Sequence, residues 1–273
     1  MVVFLTCFCA EFRMPRFVVS LLSVLCACCC GSVVFAADAE DAPRLLRIGY
    51  THFAPFVYVD DNGKLAGIDV ELAQAACERL NCRPLFIPIN WHHKKELLTE
   101  GRVDCIWTVF SMNGREKTYR WTTPYLKSRQ VVMVADANSI HSLNELADRR
   151  IATTHDSKAE ELILTENRLK VPVEIYSFSQ IDEAFTCMSE GFADAIASHE
   201  GVLNYFARHS DKNWRLLPEE LAVVDVGVAF ARSADNDRVN ALSRTLTQLR
   251  ENGTLAAILK KYDYIEPSSP SAY

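Results

Sequence analysis

The chain has 273 residues, of which 49% are hydrophobic and 23% charged. This composition excludes disorder and leaves room for one large domain or two smaller ones. A formal net charge of -6 supplies no basic stripe for a phosphate backbone, which argues against nucleic acid as a partner.

The first 36 residues form a class apart. Arg13 and Arg16 precede an apolar run over 17–36 that ends in small residues, the order of a secretory signal at 1–36. Met14-Pro15-Arg16 makes a more ordinary start than Met1. The same run is about 20 residues, long enough for an uncleaved anchor, and Leu25-Cys26-Ala27-Cys28 is a poor lipidation box. Six of the ten cysteines lie in this leader, leaving Cys77, Cys82, Cys105 and Cys187 beyond it. Export permits a disulfide, and Cys77 and Cys82 are the obvious local pair. For Cys105 and Cys187 the plainer reading is a small buried hydrophobe.

After a polar linker at 37–44, strands and helices alternate. Residues 45–50 read as a strand, and 56–59 with Leu65 flank the hairpin signal Asp61-Asn62-Gly63. A helix follows over 69–80, with Val70, Ala73, Cys77 and Leu80 on one face. A strand at 84–89, a helix at 92–100 and a strand at 104–110 complete a β-α-β-α-β series. The pattern then restarts. Strands are expected at 130–134, 150–154, 174–178 and 193–198. Capping boxes at Ser142 to Glu145 and Ser157 to Glu160 open helices, and further helices cover 181–189 and 202–208. A strand at 226–231 precedes helices over 235–251 and 254–261, with Gly253 placed as a left-handed terminator. Residues 267–273 read as a tail.

Two such series predict an α/β protein of two lobes, each a mostly parallel sheet flanked by helices. Ligands of open parallel sheets bind beyond the carboxyl ends of the strands. The loops after Tyr50, Phe110, Thr154 and Ser198 are therefore candidate ligand loops.

Candidate chemistry falls in those loops. Ser111, Asn113 and Arg115 follow a buried strand, and their hydroxyl, amide and guanidinium could clamp a carboxylate. The plainer alternative is a loop arginine paired with a surface acid. Thr154, Asp156, Ser157 and Lys158 enter a helix whose free N–H groups suit an anion, although many such boxes only cap. Phe53 and Trp91 could sandwich an apolar stem or an ammonium, or simply pack in the core. His92 and His93 are adjacent and diverge on a helix, so a shared metal ion is not expected.

The chain resembles the family 3 extracellular solute-binding proteins, the polar amino-acid receptors of ABC importers, over about residues 45–264. The resemblance rests on Tyr50-Thr51-His52-Phe53-Ala54-Pro55-Phe56, Gly67-Ile68-Asp69-Val70-Glu71, Gly101-Arg102-Val103-Asp104, Ser111 with Arg115, Thr123-Pro124-Tyr125, Gly191-Phe192-Ala193-Asp194-Ala195 and Leu249-Arg250-Glu251-Asn252-Gly253. It implies a type II periplasmic-binding-protein fold: a discontinuous lobe 1 at 45–126 and 228–266, lobe 2 at 127–227, and a two-strand hinge near 125–129 and 223–227. It also implies a monomeric periplasmic receptor without cofactor or catalysis, capturing an amino acid and delivering it to an ABC permease in the inner membrane.

By the same resemblance Arg115 grips the ligand carboxylate, and Phe53 and Trp91 flank its side chain. Val109 and Ser111 supply backbone and hydroxyl contacts. The loop at 156–158 offers N–H groups, and Tyr50 stands with the ligand set. Cys77 and Cys82 fall where some relatives carry a disulfide, at a tighter spacing. Two departures stand out. The position where such receptors hold an aspartate for the ligand ammonium is His199, with Glu200 next; either Glu200 takes over or the ligand lacks an ordinary α-amino group. The usual Gly-Thr of the anion loop is Asp156-Ser157, where an aspartate would repel a carboxylate unless Lys158 offsets it. Two other functions remain open on this fold: a cyclohexadienyl-dehydratase-like enzyme with His199 or Glu200 as acid, and a stand-alone sensor.

Overall fold

A computed structural model describes residues 44–267; the leader, its cleavage, most of the linker and the tail beyond Pro267 lie outside them. Two five-stranded sheets carry the molecule. The first has the order β4-β1-β5-β12-β6, built from β1 (Arg44–Tyr50), β4 (Cys82–Pro88), β5 (Cys105–Ile106), β6 (Arg120–Trp121) and β12 (Ala229–Phe230). The second has the order β11-β7-β10-β8-β9. Its strands are β7 (Leu126–Ala135), β8 (Arg149–Thr154), β9 (Val173–Phe178), β10 (Ala195–His199) and β11 (Trp214–Val226). A small hairpin of β2 (Tyr58–Val59) and β3 (Leu65–Ala66) turns at Gly63, as its Asp-Asn-Gly signal predicts.

Each sheet is mostly parallel, with one strand reversed. β4, β1 and β5 run parallel, as do β10, β8 and β9; β12 and β7 pair antiparallel with these trios, and the outer strands β6 and β11, antiparallel to β12 and β7, run with the trios. The two prolines of β4 are tolerated because β4 is an edge strand.

Helix α1 (Ile68–Arg79) buries Val70, Ala73 and Cys77 against the first sheet. Its entry needs glycine: Gly67 has φ 127°, and a Cβ there would lie 2.2 Å from the Phe56 carbonyl oxygen. The expected helix over 92–100 divides into a 3₁₀ turn at Trp91–His93 and α2 (Lys94–Thr99). The box at Ser142 gives only a 3₁₀ turn, because the Glu145 carboxylate accepts from the His141 N–H and the Ser142 hydroxyl. Helices α3 (Lys158–Leu164), α4 (Ile181–Ser189) and α5 (Glu200–Arg208) flank the second sheet. Helix α6 (Asn236–Glu251) meets α7 (Thr254–Lys261) at Gly253, which has φ 83°.

Two strand expectations change. The strand expected at 104–110 ends at Ile106, because Val109 turns into the left-handed region at φ 43°. Residues 226–231 divide between the end of β11 and the short β12, and the thirteen-residue β11 itself was not expected. Pro218 and the acidic pair after it break the alternation that marks a strand. The chain answers with register shifts between Leu216 and Ala222, on an edge where proline can stand.

The expected Cys77–Cys82 bridge is absent: the four described cysteines are free thiols. Burial, together with the neighbouring Cys82, pushes the Cys77 thiol up.

Candidate functional site

The strand ends of both sheets meet at a cleft with about 570 Å³ of empty volume, its open mouth included. The first sheet contributes the stretch after β5. Val109 holds its left-handed turn because its N–H donates to Asp69 Oδ2 at 2.6 Å, while the Tyr125 hydroxyl donates to Asp69 Oδ1 at 2.7 Å. Asp69 is fully buried in the first turn of α1, and burial raises its carboxyl to about 7 against the two hydrogen bonds that lower it. A left-handed valine is a costly conformation, and it persists here under a buried acceptor.

Beyond Val109 the loop is clipped to the end of β11. Met112 N–H donates to the Asp225 carbonyl, Asp225 N–H donates to Asn113 Oδ1 at 2.7 Å, and Ser111 bridges Val226. The Arg115 guanidinium lies 5.4 Å from the centre of the Phe110 ring and donates to the Ser111 carbonyl. Its other arm meets Glu161 of α3 at 2.8 Å. The acid that pairs with Arg115 thus belongs to the opposite wall, not to a neighbouring surface.

The second sheet contributes Thr154 at the end of β8, the first turn of α3, and His199 at the end of β10. Ser157 caps α3 by accepting from the Glu160 N–H. The Glu160 carboxylate reaches back to the Asp156 N–H, and Ser157 N–H donates to the Thr154 carbonyl. Several N–H groups expected to greet an anion are therefore already engaged, and α3 has only seven residues. Lys158 is buried between Glu161 at 3.0 Å and Glu166 at 2.7 Å.

His199 is buried, with Nδ1 3.0 Å from Gln130 Nε2 and 2.9 Å from Ser128 Oγ on the paired strand β7. Burial first, and the Arg115 charge second, lower its pKa to about 3. The imidazole is therefore neutral at ordinary pH. Ser111 Oγ and Gln130 Oε1 are buried polar atoms with no partner among the described residues.

Four contacts tie the walls together. Trp91 Nε1 donates to the Asp156 carbonyl at 3.1 Å, Lys94 pairs with the Asp156 carboxylate, Arg115 pairs with Glu161, and His52 meets Asp182 at 3.2 Å. Burial pushes the Lys94 ammonium below its ordinary value, against the raising effect of Asp156.

Of the expected site residues, Phe53, Trp91, Val109, Ser111, Arg115, Thr154, Ser157, Lys158 and His199 line this cleft. Phe53 stands edge-on to His199 at 6.2 Å, and Trp91 edge-on to Phe110 at 4.8 Å. Three others are placed elsewhere. Tyr50 packs against Phe86. The Asp156 side chain is drawn to Lys94, which removes the expected repulsion of a carboxylate. Glu200 opens α5, where its carboxylate meets Arg129, and it lines a separate cavity beside Tyr264. Gln130 and Thr108 line the cleft unexpectedly; both are buried, and Thr108 is a polar residue inside an apolar run, a signal available in the sequence.

Two sheets flanked by helices and meeting at a polar cleft define a two-lobed binding protein of the type II periplasmic kind. The chain belongs to the bacterial extracellular solute-binding proteins, family 3, which it matches over residues 46–264. It is 23% identical over 257 residues to the amino-acid-binding protein AabA of Dichelobacter nodosus, covering 91% of this chain and 98% of that one. It is 26% identical over 264 residues to the histidine-binding periplasmic protein of Escherichia coli K12, covering 91% and 97%. Its fold matches that of an ancestral arginine-binding protein bound to arginine, with a TM-score of 0.74, 24% identity, and coverage of 81% of this chain and 99% of that one. No helix among the described residues is long and apolar enough to cross a membrane.

Proposed function

We propose that this family member is an exported, monomeric receptor that captures a small carboxylate of the amino-acid class and delivers it to an ABC permease. The observation that carries the reading is Arg115: a half-sequestered guanidinium over Phe110, at the strand ends where two sheets meet, beside the unpartnered Ser111 hydroxyl. The relatives named as amino-acid- and histidine-binding proteins support the ligand class. Arg115 would exchange its ion pair with Glu161 for the ligand carboxylate, with Ser111 donating beside it and Phe53 and Trp91 flanking the stem.

Lobe 1 would comprise 45–126 and 228–266, and lobe 2 would comprise 127–227. The pairing of β7 with β11 from Leu126 opposite Val226 supports a two-strand hinge there. Because the 111–115 loop is clipped to Asp225 and Val226, ligand capture and hinge angle share one piece of backbone. The leader would be cleaved after export. A non-catalytic role is supported by the two candidate acids: His199 carries no proton to give near neutral pH, and Glu200 lies outside the cleft.

Arg115→Ala tests the reading. The variant should keep its unfolding transition and lose solute binding by at least about a hundredfold, as expected when a charged hydrogen-bond partner is removed. Calorimetric affinity unchanged from wild type would remove Arg115 from the site.

A further inference from the structure

The cleft's charges point in one direction. Among the described residues that line it, Arg115 and Lys158 carry cationic side chains, with Lys158 already held by Glu161 and Glu166, and no lining residue is a carboxylate. Four acids around it are already engaged. Asp69 accepts from Val109 and Tyr125 beneath the floor, Asp156 is drawn to Lys94, Glu161 is shared by Arg115 and Lys158, and Asp182 meets His52 at the rim.

The group placed to meet the remaining end of a ligand is the neutral ring of His199. In the tautomer that matches Gln130 Nε2 as donor, Nδ1 of His199 accepts and the imidazole N–H sits on Nε2. Ser111 Oγ adds a hydroxyl that no protein group uses. Gln130 Oε1 and the other neutral acceptors of the lining do not replace a counterion for a buried cation.

From this arrangement we infer that the solute is a carboxylate without a free ammonium group: the 2-oxo or 2-hydroxy counterpart of an amino acid. The inference rests on the receptor reading above and narrows its ligand. Arg115 holds the carboxylate, and the oxygen on the adjacent carbon accepts from the His199 Nε2–H. That oxygen replaces an ammonium that would otherwise lie near Arg115 with no lining carboxylate to face. Exclusion of the amino acid is then a repulsive element of the site, as specificity commonly requires.

The test uses the purified protein and isothermal titration calorimetry with the twenty amino acids and their 2-oxo and 2-hydroxy counterparts, compared pair by pair. In the best-binding pair the oxo or hydroxy acid should be about a hundredfold tighter, the penalty typical of a buried charge left without a partner. An amino acid binding as tightly as its counterpart overturns this inference and leaves the receptor reading standing. Silence across the whole set overturns both. His199→Asp should shift the preference toward the amino acid, and Gln130→Glu is the second variant should the first not fold. A folded variant of either kind that leaves the preference where it was counts against the inference.

Discussion

The two walls of the cleft are held in place by opposite means. On the first sheet a buried acid does the positioning. Asp69 accepts from the Val109 N–H and the Tyr125 hydroxyl, and so keeps a valine at φ 43° immediately before Ser111 and Arg115. On the second sheet the positioning group is a buried base, with neutral His199 locked to Ser128 and Gln130. Burial raises the acid to about 7 and lowers the base to about 3. Both groups are thereby pushed toward their uncharged forms, as burial dictates. Supports whose charge is suppressed by burial leave the net charge of the cleft to the few groups that reach the ligand.

The comparison breaks most visibly on the first wall. Asp69→Ala leaves the Val109 N–H and the Tyr125 hydroxyl buried without an acceptor, which should cost about 3 kcal/mol of stability. Solute binding should fall with it although Arg115 is untouched, because Val109 loses the bond that sets its turn. Urea unfolding and calorimetry check both effects. A variant with lost stability and wild-type affinity would show that the left-handed turn does not need Asp69.

Opposite pKa shifts predict opposite pH slopes. Asp69 has a folded value above its unfolded one, so its contribution is fully present below 3.8 and is lost as pH rises through about 7. His199 has a folded value below its unfolded one, so its contribution is present above 6.5 and is lost as pH falls toward about 3. Asp69→Asn, which keeps the shape, should therefore flatten the decline in stability between pH 4.5 and 7.5, by on the order of 2 kcal/mol over that span. His199→Gln should instead flatten the decline on acidification below 6.5. Unfolding midpoints across pH for the two variants settle the contrast. Equal slopes in both variants and in the wild type would mean that neither group is held uncharged.

Much of this architecture is legible in the residues, and the failures have physical causes. Helical spacing locates α1, and Gly253 marks the junction of α6 and α7, because apolar period and a left-handed terminator are local properties. β11 is hidden because Pro218 is read as a strand breaker, whereas an edge strand with a bulge tolerates it. The short β5 is hidden because the left-handed Val109 depends on Asp69, forty residues earlier in the chain. Arg115 stands out by its spacing from Ser111, but its partner Glu161 comes from the other wall. Glu200 is one residue from His199 and yet leaves the cleft, because the strand ends at His199 and the helix begins at Glu200, turning its carboxylate to Arg129.

The smallest effect belongs to the cap of α3, and it separates structure from recognition on the second wall. Ser157→Ala removes the acceptor for the Glu160 N–H, and with it about 1 kcal/mol, the usual worth of such a cap. The loop should keep its course, because the Glu160 carboxylate still holds the Asp156 N–H. Binding should then weaken only about threefold, in line with the loss of one neutral contact. Ser157→Asp restores an equally good cap and so should recover the stability. It also adds a carboxylate to a lining position that has none, and a carboxylate solute on Arg115 should bind more weakly than to the alanine variant. Thermal midpoints and calorimetric affinities should therefore move in opposite directions between the two variants. If they move together, Ser157 acts on the solute only through the helix it caps.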